Sequence, residues 1–196
     1  MKAATRSKYG GPGVLSIQEH EKPVPEGNEV LVKVCATTVN RSDCHVLTGK
    51  PFIMKFFTGF FKPKLSVTGS DFAGQIESAG SNVKLFKPGD NVMGFIDMGS
   101  KSHAEFLAIP ETKLVKTPAN FNYAQSVACL EGAFYAISCM NHISPAAGQS
   151  AMVYGATGAI GSSYVQFFKY YGVSVTAVCG AENLSLIHIS EPTRPY

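Results

Sequence analysis

The strongest constraint on this chain is Val153-Tyr154-Gly155-Ala156-Thr157-Gly158-Ala159-Ile160-Gly161, a glycine-rich turn set between an apolar run and a helical pattern. Ser150–Tyr154 reads as a buried strand, announced by Pro145 and Gly148. Beyond the turn, Ile160, Tyr164, Phe167, Phe168 and Tyr171 recur at helical spacing, and Gly172 stands where the helix should stop. Residues 173–179 alternate Val173, Val175 and Ala177 as a second strand. Strand, glycine turn, helix, strand is the context in which such a turn can hold a dinucleotide.

Each glycine has a physical use in that setting. Gly155 can leave the strand at positive φ, because it has no Cβ to clash. Gly158 would let a pyrophosphate approach the backbone, and Gly161 would let the helix pack closely on the sheet. Ala156, Thr157, Ala159 and Ile160 complete the candidate cofactor turn, whose amides at the helix start would meet the phosphates. The spacing G-x-x-G-x-x-G is one residue longer than the common G-x-G-x-x-G, and plain loop punctuation is the competing explanation. At the end of the second strand stand Cys179 and Gly180, where an acid would bind ribose hydroxyls. That lack of an acid favours NADPH, with NADH possible because Glu182 follows closely.

Before this unit the texture is different. Residues 14–18, 68–77, 90–96 and 102–109 are strand candidates, as is Glu29–Ala36, where Val30, Val32 and Val34 share a face. Turns such as Pro23-Val24-Pro25-Glu26-Gly27-Asn28 and Lys87-Pro88-Gly89-Asp90 separate them, so a small barrel or sandwich is expected. Residues 124–140 are rich in Ala, Leu and aromatics and predict helix. A net charge of +3, scattered along the chain, gives no footprint for nucleic acid. Five cysteines without a C-x-x-C pair read as reduced thiols of a cytoplasmic protein. No apolar run of about 18 residues predicts a membrane span, and no apolar stretch follows the N-terminal lysines to make a signal peptide.

Several motifs in order resemble the medium-chain dehydrogenase/reductase superfamily, in its zinc-free quinone oxidoreductase-like branch. They are Pro23-x-Pro25, Glu29-Val30-Leu31-Val32-Lys33-Val34, Val39-Asn40-Arg41-Ser42-Asp43, Gly69-Ser70-Asp71-Phe72-Ala73-Gly74, Phe86-Lys87-Pro88-Gly89-Asp90-Asn91-Val92 and the glycine turn itself. The resemblance implies an α/β protein with a GroES-like β-barrel domain over residues 1–121 and the start of a Rossmann NAD(P)-binding domain over 122–184. It implies hydride transfer from NAD(P)H to a quinone, enone or other carbonyl, and a full-length parent that pairs as a homodimer. Zinc-dependent members carry Cys where this chain has Asn40 and His-Glu where it has Ser70-Asp71, so no metal is expected.

Without a Lewis acid, reduction needs orientation and a polarising hydrogen bond. Asn40 is the first catalytic candidate, through an amide that could donate to a substrate carbonyl or to the nicotinamide ribose; a turn residue is the alternative. Asp43 could orient a neighbouring group, or simply cap a helix. Ser70 and Asp71 read as turn residues. Phe52, Phe56, Phe57, Phe60 and Phe61, in the aromatic and basic stretch 49–64, either line a pocket or pack as a hydrophobic loop.

Residues 185–196 do not fit. Pro192 and Pro195 oppose the helix expected there, and the stretch resembles translated sequencing-adapter read-through, so a non-native tail on a truncated and inactive fragment is expected. The competing class is a non-catalytic binding or regulatory module that retains the GroES-like domain.

Overall fold

The computed structural model describes residues 1–97 and 101–190. The chain divides into two units, Met1–Ala128 and Cys129–Tyr196. In the first, β1 (Lys2–Thr5) and β2 (Ser16–Glu19) form an antiparallel hairpin. Five further strands follow: β3 (Glu29–Ala36), β4 (Asp71–Ala79), β5 (Asn91–Phe95), β6 (Phe106–Pro110) and β7 (Val115–Lys116). They make one antiparallel sheet in the order β6-β3-β4-β5-β7. Between β3 and β4 run α1 (Arg41–Thr48) and α2 (Met54–Thr58), and α3 (Tyr123–Ala128) packs on β3, β4 and β5.

The alternating valines do what their spacing predicts. Val30 and Val32 are fully buried with Phe72, Ile76, Val92, Leu107, Ile109 and Leu114, and Val34 packs on this cluster from the side. Each such side chain contributes about 1.5–3 kcal/mol by leaving water, so this cluster is what holds the sheet together.

The expected barrel is not there: the sheet is open. Its edge strands β6 and β7 do not pair with each other. The β1–β2 hairpin meets the rest of the unit through single bridges, Ala3 with Ala104 and Thr5 with Val67. A barrel needs an unbroken ladder around its circumference. Here β7 pairs at only two positions, Val92 with Lys116 and Met93 with Val115, and β6 ends on Pro110, which has no N–H to extend a ladder. Alternation in sequence reports which face is buried, and carries no information on whether the last strand finds the first.

The second unit comprises α4 (Leu130–Ile143), β8 (Ser150–Tyr154), α5 (Ala159–Tyr170), β9 (Ser174–Val178) and α6 (Leu184–Ser190). Strands β8 and β9 pair in parallel, from Ser150 with Ser174 to Tyr154 with Val178. Parallel neighbours need a crossover, which α5 supplies. Its apolar side, Val165 and Phe168, packs with Val153, Val173, Ala156 and Met140. Gly172, at φ +74°, ends the helix, and Val173 N–H returns to the Phe168 carbonyl at 2.9 Å. The helix α6 runs over the start of the stretch where Pro192 and Pro195 were expected to oppose a helix, and Ile187 seats in the same core. Residues 191–196, the rest of that tail, lie outside the described residues.

Candidate functional site

Two centres bear on function, one in each unit. In the second unit, the turn from β8 into α5 is built by hydrogen bonds to the neighbouring strand. Gly155 and Ala156 N–H both donate to the Val178 carbonyl, at 3.0 and 3.1 Å. Gly158 N–H closes the turn on the Gly155 carbonyl at 3.1 Å. The first i→i−4 bond of α5 is donated by Ser162 to Gly158, at 2.8 Å. The amides of Ala159, Ile160 and Gly161 precede it and have no acceptor within the helix. Gly158 is the N-cap and offers no side chain to satisfy them.

The three glycines are there for three different reasons. Gly155 sits at φ +71°, which side-chain-bearing residues rarely adopt. At Gly161 a Cβ would lie 2.2 Å from the Gly155 carbonyl oxygen and 2.8 Å from Ala156 Cα, so the helix could not approach the turn. Gly158 has neither reason. Its φ is −75°, and a Cβ there would meet only the Gly155 oxygen, at an ordinary 3.5 Å. The fold tolerates a side chain at Gly158, but one would stand beside the orphan amides of the first turn. These residues fit a pyrophosphate.

Cys179 and Gly180 follow β9 directly, and Ala181–Asn183 is a single 3-10 turn. Glu182 folds back so that its carboxylate lies against Gly180 and accepts from Asn183 Nδ2 at 3.2 Å. An acid omitted by position in sequence is thus brought back to the strand end by the turn.

The first unit holds a buried polar network at the start of α1. Asn40 is the N-cap, and with Asp43 it forms a capping box. Asp43 N–H donates to Asn40 Oδ1 at 2.9 Å, and Asn40 N–H donates to Asp43 Oδ2 at 3.1 Å. Asn40 Nδ2 donates to Ser70 Oγ at 2.8 Å and reaches Asp71 Oδ2 at 3.4 Å. Both ends of the Asn40 amide are therefore engaged. Asp71 is the hub: fully buried, it accepts from Thr38 N–H at 2.8 Å and from the Thr38 hydroxyl. Thr37 Oγ1 donates to the Asp71 carbonyl at 2.7 Å and meets Ser102 Oγ at 3.2 Å.

His103 closes the network. Its Nε2 lies 2.8 Å from the Thr38 carbonyl, which can only accept, so Nε2 carries a proton. In the neutral ring Nδ1 then accepts from Thr68 Oγ1, also at 2.8 Å. Asp43 Oδ2 is 3.9 Å from His103 Nε2. Burial pushes the Asp43 carboxyl up from its ordinary range and the nearby Asp71 adds to this, while the Asn40 amide, the neighbouring His103 and the Ser70 hydroxyl pull it back. Among the described residues, no group of three or more His, Cys, Asp or Glu is placed to hold a metal ion.

Sequence reading placed Asn40 and Asp43 together but missed their surroundings. Asp71, read as a turn residue, accepts from the Thr38 backbone and hydroxyl and is reached by the Asn40 amide. Thr37, Thr38, Thr68, Ser102 and His103 come from three separate stretches, so no local spacing could have grouped them. The aromatic stretch forms an edge-to-face cluster of Phe52, Phe56 and Phe60, with ring centroids 5.5–5.9 Å apart, and these rings remain exposed.

Residues 26–119 match the model of the alcohol dehydrogenase GroES-like domain. Over 185 residues the chain is 34% identical to the quinone oxidoreductase of Mus musculus, covering 93% of this chain and 53% of that protein. Among solved structures, the quinone oxidoreductase from Coxiella burnetii superposes with a TM-score of 0.86 at 23% identity, over 97% of this chain and 60% of that one. A mycobacterial protein solved with NADPH superposes at 0.80 with 26% identity, over 97% of this chain and 56% of the other. The chain is thus similar to alcohol dehydrogenase GroES-like domains over residues 26–119 and to quinone oxidoreductases over 93% of its length. The chain spans about half the length of the curated relatives it matches.

Proposed function

We propose that this chain serves the zinc-independent reduction of a quinone, enone or other carbonyl by NAD(P)H. The observation that carries this reading is Gly158, a glycine that the fold does not require, beside amides with no acceptor within the helix. When bound, the nicotinamide cofactor supplies the hydride. The residues 155–161 hold its pyrophosphate, and Cys179 and Gly180 border its adenosine ribose. NADPH is favoured, since neither residue is an acid, and NADH is the alternative that Glu182 supports.

In this reading Asn40 exchanges its bond to Ser70 for one to the substrate carbonyl or the nicotinamide ribose, and so polarises or positions it. Asp43 orients Asn40 through the capping box. Asp71 fixes the loop that carries both. Because the chain spans about half of its curated relatives, turnover is assigned to the longer architecture, and the 196 residues alone are expected to bind cofactor weakly. A cytoplasmic location and homodimerisation of a full-length form belong to the same proposal.

One observation favours the second reading, a binding module without catalysis: the Asn40 amide is already engaged at both ends. NADPH fluorescence separates the two. Titration of the chain should shift and enhance or quench the emission, and Gly158→Val should abolish that change while leaving the fold intact. No response in the unaltered chain, or an equal response in Gly158→Val, would remove the cofactor site.

A further inference from the structure

The short helix α2 is built inside out. Its polar Thr58 is buried, where the hydroxyl donates to the Met54 carbonyl at 2.8 Å and lies 2.8 Å from the Tyr9 hydroxyl. Its phenylalanines face water. Phe52, Ile53, Phe56, Phe57, Phe60 and Phe61 are between 46% and 93% exposed. At 3.6 residues per turn, positions 53, 56 and 57 fall within an arc of about 100°, opposite Thr58. Phe52, Phe56, Phe60 and Phe61 touch edge to face in succession, with centroids 5.1–5.9 Å apart, so the rings form one patch and not scattered single residues.

The backbone beneath this patch is fixed. Gly59 N–H donates to the Lys55 carbonyl at 2.9 Å, and Lys64 N–H donates to the Thr58 carbonyl at 2.8 Å. A Cβ at Gly59 would lie 2.1 Å from the Lys62 carbonyl oxygen, so the turn is tight. Rotating α2 to bury its rings would break these bonds and expose Thr58. A helix of a water-soluble surface carries the opposite pattern, polar outside and apolar inside.

Lysines interleave with the rings. Lys50, Lys55, Lys62 and Lys64 belong to the same stretch, and no Asp or Glu stands between Asp43 and Asp71. Among the described residues none of the four lysines is in an ion pair, and Lys50, Lys62 and Lys64 are exposed. A second copy of this face would set like charges against each other, and a purely apolar crevice would leave the cations unmatched. An anionic lipid surface accepts both parts. Rings enter the boundary between headgroups and acyl chains, while ammonium groups stay at headgroup level on flexible apolar stems.

We propose that the face formed by residues 50–64 docks on the surface of a bilayer that contains anionic phospholipid, without crossing it. Among the described residues no helix is long and apolar enough to span a membrane, and surface docking needs none.

The test uses the 196-residue chain with vesicles of phosphatidylcholine, alone or mixed with an equal amount of phosphatidylserine. The chain contains no tryptophan, so Phe61→Trp supplies a single reporter. Its emission should move to shorter wavelength with the mixed vesicles, and stay in place with phosphatidylcholine alone or without vesicles. Phe57→Ser with Phe61→Ser should weaken co-sedimentation with the mixed vesicles at least about tenfold. Lys62→Gln with Lys64→Gln should weaken it roughly 25-fold, since each lysine near such a surface contributes about fivefold. Both pairs lie at exposed positions and should leave the unfolding temperature unchanged. Gly158→Val should bind vesicles as the unaltered chain does, which separates this face from the glycine turn. Absent binding to the mixed vesicles, equal binding to phosphatidylcholine alone, or full binding by either double variant would overturn the proposal. So would a reporter already shifted without vesicles in a chain that sediments as a dimer, because a second copy would then be the occupant.

Discussion

Exchanging Gly161 and Gly158 for alanine, one at a time, should separate stability from ligand binding within a single turn. At Gly161 the new Cβ would lie 2.2 Å from the Gly155 oxygen, 2.8 Å from Ala156 Cα and 2.9 Å from the Gly155 carbonyl carbon, all of them backbone atoms. No side chain can swing away, so the turn or the helix must move. Overpacking of this kind costs about 1–3 kcal/mol, and backbone obstruction argues for the upper end. Alanine regains roughly 1 kcal/mol of helix propensity, leaving a net loss of about 2 kcal/mol. For a unit of this size that corresponds to a fall in unfolding temperature of roughly 10 °C. At Gly158 the nearest atom is 3.5 Å away, so the only cost is exchange of a tolerated N-cap residue, about 0.5 kcal/mol. Thermal unfolding followed by circular dichroism, with NADPH fluorescence on the same samples, reads both effects. Gly161→Ala should lose stability, whereas Gly158→Ala should keep it and lose cofactor affinity. Equal unfolding temperatures for the two variants, or greater loss at Gly158, would refute the assignment of the three glycines.

Three further outcomes follow from the polar centres. Asp71→Ala strands the Thr38 and Asn40 donors in a buried site and should cost about 3 kcal/mol, read by urea unfolding; a loss within error of zero would remove Asp71 as the hub. The Asp43 carboxyl is raised by burial, so the stabilisation from its protonated form is complete below the ordinary aspartate range and is lost as pH rises through the raised value. Asp43→Asn keeps an acceptor for the Asn40 amide and should therefore gain stability relative to the unaltered chain as pH climbs through that window, whereas a difference independent of pH would contradict it. Glu182→Gln removes a carboxylate beside Gly180 and should improve NADPH binding relative to NADH by about fivefold, the scale of one like-charge contact in water; an unchanged ratio would place the ribose elsewhere.

The amino-acid sequence by itself determined the glycine turn and its flanks. Ser150–Tyr154 is a strand with the bounds its apolar run implied, and the helix after the turn ends at the glycine that predicted its end. Such elements are legible because the signal is local: period, punctuation and φ requirement all reside within a few residues. The helix start was legible in part: Asp43 was read as a possible cap, whereas Asn40, the N-cap itself, was read as a catalytic or turn residue. Closure of the sheet was not legible, because it depends on whether β6 and β7 meet across the unit, and alternation within a strand says nothing of its neighbour. Burial of Asp71 beneath Thr38, the placement of His103 and the folding back of Glu182 were hidden likewise. Tertiary structure decided these features, because a charge or hydrogen bond acts through distance in space.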